Sequence, residues 1–183
     1  MGDFADARRK MVDSQLRTSD VTDHRIQAAM GSVPREAFIA PDLAPLAYID
    51  TELSIGRGRV LMRPATFGKL LQLATIGPDD VVLVVGAGCG YEAAVIARLA
   101  SSVVAVECVP ELAQAASDRL MRLGVEAAAV VTGPLEAGWP GEAPKQKPRF
   151  PYEAVVHHER YDDSAAKALI PQYDRELAEH YRS

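Results

Sequence analysis

The chain has 183 residues, 48% of them hydrophobic and 25% charged, which excludes a disordered or collagen-like polypeptide and fits one structural domain with its own core. Aromatic residues make up only 6%, so that core has to be aliphatic. A formal net charge of -5 argues against a broad basic surface for nucleic acid or anionic lipid.

The two cysteines, Cys89 and Cys108, share no zinc-ligand or CxxC spacing, and such sparse usage predicts a reducing, cytoplasmic location. The apolar runs near Val81 and Val103 are too short to span a bilayer, so no direct membrane insertion is expected. Met1 to Lys10 mixes Asp with Arg and has no apolar stretch of the signal-peptide kind.

In chain order, Asp3 is placed to cap an amphipathic helix through Phe4, Ala7, Met11, Val12, Gln15 and Leu16. Thr22 is expected to cap a second helix, through Ile26, Ala29 and Met30, which Gly31 and Pro34 end. Pro41 to Arg63 has no sustained period and reads as loop with short strand pieces. Pro64 opens a third helix with Phe67, Leu70, Leu71 and Ala74 on its apolar face, stopped by Gly77 and Pro78.

The pattern then changes. Val81 to Val85 is a continuous β-branched run, Tyr91 to Ala100 is an Ala-rich helix, and Val103 to Val106 is a second such run ending in Glu107. A helix from about Glu111 to Leu123 and a strand through Ala128 to Val131 complete a third unit. Strands apolar on both faces that alternate with helices predict an α/β, doubly wound, Rossmann-like parallel sheet. Tyr152 to Val156 is a fourth candidate strand, and Asp163 to Arg182 reads as a helix split by Pro171. The expected layout is a helical and loop segment over 1–78, a Rossmann-like core over 79–156 and a polar tail over 157–183, all within one structural domain.

The sharpest local signal is Gly86-Ala87-Gly88-Cys89-Gly90 between a buried strand and a helix, where glycines permit a tight turn and close approach of a ligand. Its spacing is GxGxG; the dinucleotide fingerprint would need a third glycine at Tyr91, which disfavours NAD. This loop, followed by Tyr91-Glu92-Ala93-Ala94 and an acid ending the next strand, resembles the S-adenosylmethionine-dependent methyltransferases. The resemblance makes Gly86, Ala87, Gly88 and Gly90 the cofactor loop and Glu107 the acceptor for two ribose hydroxyls. The alternative is that the glycines only close a βα turn and Glu107 is a solvated strand end.

A narrower resemblance follows from Arg9-Lys10-Met11-Val12 with Gln15-Leu16, Val33-Pro34-Arg35-Glu36-Ala37-Phe38, Ala47-Tyr48-Ile49-Asp50 and Gly138-Trp139-Pro140. In this order they are similar to the protein-L-isoaspartate O-methyltransferase family, from the N-terminus to about Val156. The resemblance implies a class I methyltransferase fold with an N-terminal helical segment. It also implies transfer of a methyl group from S-adenosylmethionine to isoaspartyl carboxylates, with damaged proteins as substrates.

Three positions depart from the family pattern. Met62 stands where a Thr-Ile-Ser-x-Pro motif supplies a serine hydroxyl, Val84 where the strand before the loop carries an acid, and Pro134 where Gly-Asp-Gly offers an Asp to the adenine. The catalytic residue is therefore unassigned. The family sheet has seven strands, and no candidates follow Val156, so the sheet is expected to be truncated after its fourth strand.

Other residues carry weaker signals. His157, His158, Glu159, Asp162 and Asp163 are the only cluster rich in metal donors, but adjacent histidines on an extended chain diverge, and no metal site is assigned. Cys89, near a helix N-terminus, is either a thiol of lowered pKa or a small residue tolerated in a loop. Tyr48 and Asp50 lie beside the family's substrate cleft, although Tyr48 reads equally as a core aromatic. Lys145, Lys147 and Arg149 form a basic stretch without a family counterpart. Three function readings stay open: a working carboxyl methyltransferase; a catalytically inactive accessory subunit of a larger protein assembly, such as a respiratory complex; and a sensor of the cofactor without turnover.

Overall fold

A computed structural model of the protein describes residues 4–138. The expected strand Tyr152 to Val156, the tail, the histidine cluster, the basic stretch and the cap Asp3 lie outside the described residues. Helix α1 (Phe4–Met11) starts the N-terminal segment and passes into a π turn (Val12–Leu16) and a 3-10 turn (Arg17–Ser19). The expected regular helix thus changes pitch. Ser14 and Thr18 each donate a hydroxyl to the carbonyl four residues back, at 2.6 Å, and the wider turn leaves Met11, Val12 and Leu16 all buried.

Helix α2 (His24–Ser32) is capped by Asp23, whose carboxylate accepts the Arg25 amide at 2.7 Å, one residue later than the Thr22 cap expected. Thr22 is engaged elsewhere: its amide donates to Gln72 Oε1 at 2.7 Å. After 3-10 turns at Arg35–Phe38 and Ala44–Leu46, the short strand pieces expected within the loop pair as an antiparallel hairpin, β1 (Leu53–Gly56) with β2 (Arg59–Leu61). Leu53 faces Leu61 at its base, and its tip is turned by Gly56, Arg57 and Gly58, all with positive φ.

Helix α3 (Pro64–Ala74) begins with proline in its first turn and ends at Thr75 in the left-handed region, before the Gly77 and Pro78 stop. Its buried face is narrower than the spacing predicts, because Phe67 and Leu71 are covered while Leu70 and Leu73 are exposed. Gly68 is required where α3 meets the π turn: a Cβ there would lie 2.6 Å from Leu16 Cδ2.

The core sheet contains β3 (Val81–Val85), β4 (Ser102–Glu107) and β5 (Ala128–Thr132), parallel and in the order β3-β4-β5. The register runs from Val81 opposite Ser102 to Val85 opposite Val106, and from Val103 opposite Ala128 to Glu107 opposite Thr132. Central β4 is buried from Val103 through Glu107, as an apolar parallel strand should be. Helices α4 (Tyr91–Ile96) and α5 (Pro110–Arg122) make the parallel connections and pack on β4. The α4 helix is shorter than expected because tight turns from Arg98 to Val95 and from Leu99 to Ile96 close it before Ala100.

The interior is aliphatic, as composition requires, and contains a layer of small residues: Ala93, Ala94, Ala105, Ala113 and Ala116 are all buried. An aromatic group interrupts it. Tyr91 meets Phe38 edge to face at 5.5 Å and Phe67 at 6.0 Å, joining the sheet domain to the N-terminal helices.

Candidate functional site

The loop Gly86 to Gly90 leaves the carboxyl end of β3 and turns into α4, and its backbone is tied to β4. The amides of Gly86 and Ala87 both donate to the Val106 carbonyl, at 2.8 and 2.9 Å, and the Gly90 amide returns to Ala87 O at 2.8 Å. Gly88 and Gly90 both need positive φ. A Cβ on Gly90 would meet Ala116 Cβ at 3.1 Å and its backbone just beyond, so this glycine lets α5 approach; a Cβ on Gly88 would face Ile55 Cδ1 at 3.1 Å.

Glu107, the last residue of β4, is completely buried, which overturns the alternative of a solvated strand end. Its Oε2 accepts the Gly88 amide at 2.9 Å, joining acid and glycine loop directly. Its Oε1 accepts the Val109 amide at 3.1 Å, Arg59 Nη2 at 3.1 Å and, more weakly, the Cys108 thiol at 3.6 Å. Burial by itself would raise this carboxyl, but the amides of Gly88 and Val109 and the Arg59 guanidinium together hold it below the usual glutamate value. A buried, ionised carboxylate at the end of a parallel strand, beside a glycine loop, is suited to accepting hydrogen bonds from a diol.

Arg59 is the residue that sequence reasoning missed. It lies on β2 with its side chain 5% exposed, and it reaches Glu107 across the hairpin. No local sequence signal marks it; in the structure Arg59 and Leu61 are both buried and flank the half-buried Val60, so a charge occupies an inward-facing strand position. Arg35 was quoted in a motif without a role. It is fully buried, donating Nε to the Ala47 carbonyl at 2.7 Å and Nη2 to the Met62 carbonyl, with its guanidinium 5.0 Å from the Tyr91 ring centroid.

The three departing positions are placed as their chemistry suggests. Val84 and Met62 are buried among apolar neighbours, and Pro134 is exposed where the chain leaves β5. Cys89 is not an activated thiol: burial and the nearby Glu92 charge push it up to about 12. Tyr48 is a buried polar anchor, its hydroxyl donating to Glu36 and accepting from Arg8 Nε at 2.9 Å and the Arg35 amide at 3.2 Å. Burial and the Glu36 carboxylate raise its pKa. Asp50, by contrast, is exposed, 3.8 Å from Arg63 Nε.

A family model described as protein-L-isoaspartate(D-aspartate) O-methyltransferase matches residues 6–172. The chain belongs to this family. The protein-L-isoaspartate O-methyltransferase of Protochlamydia amoebophila is 41% identical over 146 residues, covering 80% of this chain and 66% of that protein. That of Methylorubrum extorquens is 42% identical over 170 residues, covering 93% and 68%. The chain thus spans about two thirds of the length of these relatives.

Among solved structures, a protein-L-isoaspartate O-methyltransferase superposes with a TM-score of 0.67 at 26% identity, over 75% of this chain and 45% of that one. A Plasmodium falciparum structure bearing the same family name, in complex with S-adenosyl-L-homocysteine, shares the fold with a TM-score of 0.58 at 20% identity, over 68% and 62%. The N-terminal helices and the β3-β4-β5 sheet accordingly belong to the class I methyltransferase fold of this isoaspartate methyltransferase family. No helix among the described residues is long and apolar enough to cross a membrane.

Proposed function

We propose that this chain binds S-adenosylmethionine over Gly86, Ala87, Gly88 and Gly90, with the ribose at Glu107, and methylates isoaspartyl carboxylates of damaged proteins. The observation that carries the reading is Glu107: a buried carboxylate, kept ionised and hydrogen-bonded to the glycine loop, has the acceptor and charge character a ribose diol needs. The ribose end of the site therefore fits the cofactor. The methionine and adenine ends are poorer in polar partners, because Val84 and Pro134 offer no side-chain acceptor.

The bound cofactor would supply an electrophilic methyl group. The substrate carboxylate is itself the nucleophile, so the protein has no strong base to provide; its part is to hold the reacting groups in line and exclude competing water. Glu107 fixes one end of that arrangement, and the Gly86–Gly90 backbone allows close approach. No side chain is assigned to the carboxylate, since Met62 presents a thioether in place of a hydroxyl.

A second reading is supported by the burial of Val84 and Met62 in the apolar core: a methyltransferase-fold chain without turnover, acting as a cofactor sensor or as an accessory subunit of a larger assembly. Two measurements separate these readings. Calorimetric titration with S-adenosylmethionine and S-adenosylhomocysteine, followed by transfer of labelled methyl to an isoaspartyl peptide, should give binding and turnover for the enzyme. Binding alone supports the sensor, and neither supports the accessory subunit and refutes the enzyme.

A further inference from the structure

One oxygen of the carboxylate assigned to the ribose is already fully engaged. Each carboxylate oxygen has about two lone-pair positions; Glu107 Oε1 receives Val109 N, Arg59 Nη2 and, weakly, Cys108 Sγ, while Oε2 receives Gly88 N. Three of these donors come from the sheet domain itself. Arg59 comes from the β1–β2 hairpin, 48 residues away in sequence.

The same hairpin also touches the glycine loop that Glu107 binds. Ile55 on β1 lies against Gly88, where a Cβ would come within 3.1 Å of its Cδ1. A two-stranded hairpin of four and three residues is marginal by its own hydrogen bonds, so side chains have to hold it in place. At its far end, a Cβ on Gly56 or Gly58 would meet nothing within 4 Å, and Arg57 faces Glu111 across 3.6 Å on the surface. The hairpin is thus fastened at Leu53 and Leu61 in the core, rests on the glycine loop through Ile55 and on Glu107 through Arg59, and has an open tip.

We propose that the β1–β2 hairpin is a latch over the ribose end of the site, with Arg59 competing with the ribose hydroxyls for the Glu107 carboxylate. The proposal rests on the cofactor reading given above for its ligand, but not for the closure itself. Admission of the cofactor requires the Arg59–Glu107 contact to loosen and Ile55 to withdraw from Gly88. Arg59 is accordingly a positioning residue that opposes binding in the free protein, and a closed population lowers apparent affinity in proportion to the open fraction that remains.

The test uses the full chain, wild type beside Arg59→Met and Ile55→Ala. In ligand-free protein, Arg59→Met should speed amide hydrogen exchange across residues 53–61 while β4 stays protected; Ile55→Ala should do the same to a smaller degree with the ion pair intact. Titrated with S-adenosylhomocysteine, both variants should bind more tightly than wild type, Arg59→Met by on the order of tenfold. Faster hairpin exchange with no binding in any of the three proteins supports the closure and refutes the cofactor reading. Unchanged hairpin exchange in both variants, or weaker binding by both, overturns the latch. If Arg59→Met does not fold, Ile55→Ala decides by the same two criteria.

Discussion

Arg35 and Arg59 are both buried, yet they are held in different ways. Arg35 sits at the seam between the N-terminal segment and the sheet domain, where it gives its protons to two main-chain carbonyls and its face to Tyr91. Arg59 sits beside the end of β4 and pairs with the Glu107 carboxylate. Carbonyls fixed in the backbone offer a ligand nothing to replace, whereas a carboxylate can exchange a guanidinium for any other donor of suitable reach. The first arrangement is a permanent fastener and the second is a replaceable one.

The largest way to break this contrast is to remove Arg35. Arg35→Met strands the buried Ala47 and Met62 carbonyls and should cost about 4 kcal/mol, read from the denaturant midpoint. Glu107→Gln comes next, at about 3 kcal/mol near neutral pH, because it removes the carboxylate charge from the buried ion pair with Arg59. It also carries a pH signature. Glu107 ionises more readily folded than unfolded, so its contribution is complete above the ordinary glutamate value of 4.5 and is lost as pH falls through the lower native value. Stability measured against pH should therefore fall less steeply in acid for Glu107→Gln than for wild type; parallel acid limbs would show that the carboxylate is not held ionised.

Smaller effects sharpen the comparison. Gly90→Ala should cost about 2 kcal/mol by thermal melting, since the added methyl meets the Ala116 backbone at a positive φ. Gly88→Ala should cost less, because its neighbour is the end of the Ile55 side chain, which can turn aside. Gln72→Ala removes an oxygen that accepts from the amides of Thr22 and Asp23 and should cost about 1 kcal/mol. A loss above that of Arg35→Met would put the main fastening of the N-terminal segment at α2 and α3.

What was legible in the sequence followed from local pattern. The apolar runs at Val81 and Val103, alternating with helices, predicted parallel strands, and Glu107 was visible as the acid that ends the second run. Features set by distant partners were not legible. Thr22 and Asp23 are equally good caps by type, and Gln72, about fifty residues on, decides between them. The hairpin strands are too short to show a period, so nothing local singles out Arg59, and only its register opposite Gly56 and its burial do so. Cys89 reads as either a reactive thiol or a small residue tolerated in a loop, and its burial decides for the second.

The alanine layer around β4 has a thermal consequence. Ala93, Ala94, Ala105, Ala113 and Ala116 have no rotamers to freeze, so ordering this layer costs little beyond its backbone entropy. Each alanine also buries little apolar area, and the layer's cohesion depends on how closely its backbones approach. Its tolerance is therefore one-sided: replacement by glycine removes a single methyl, while a valine or leucine has to push a helix away from the central strand.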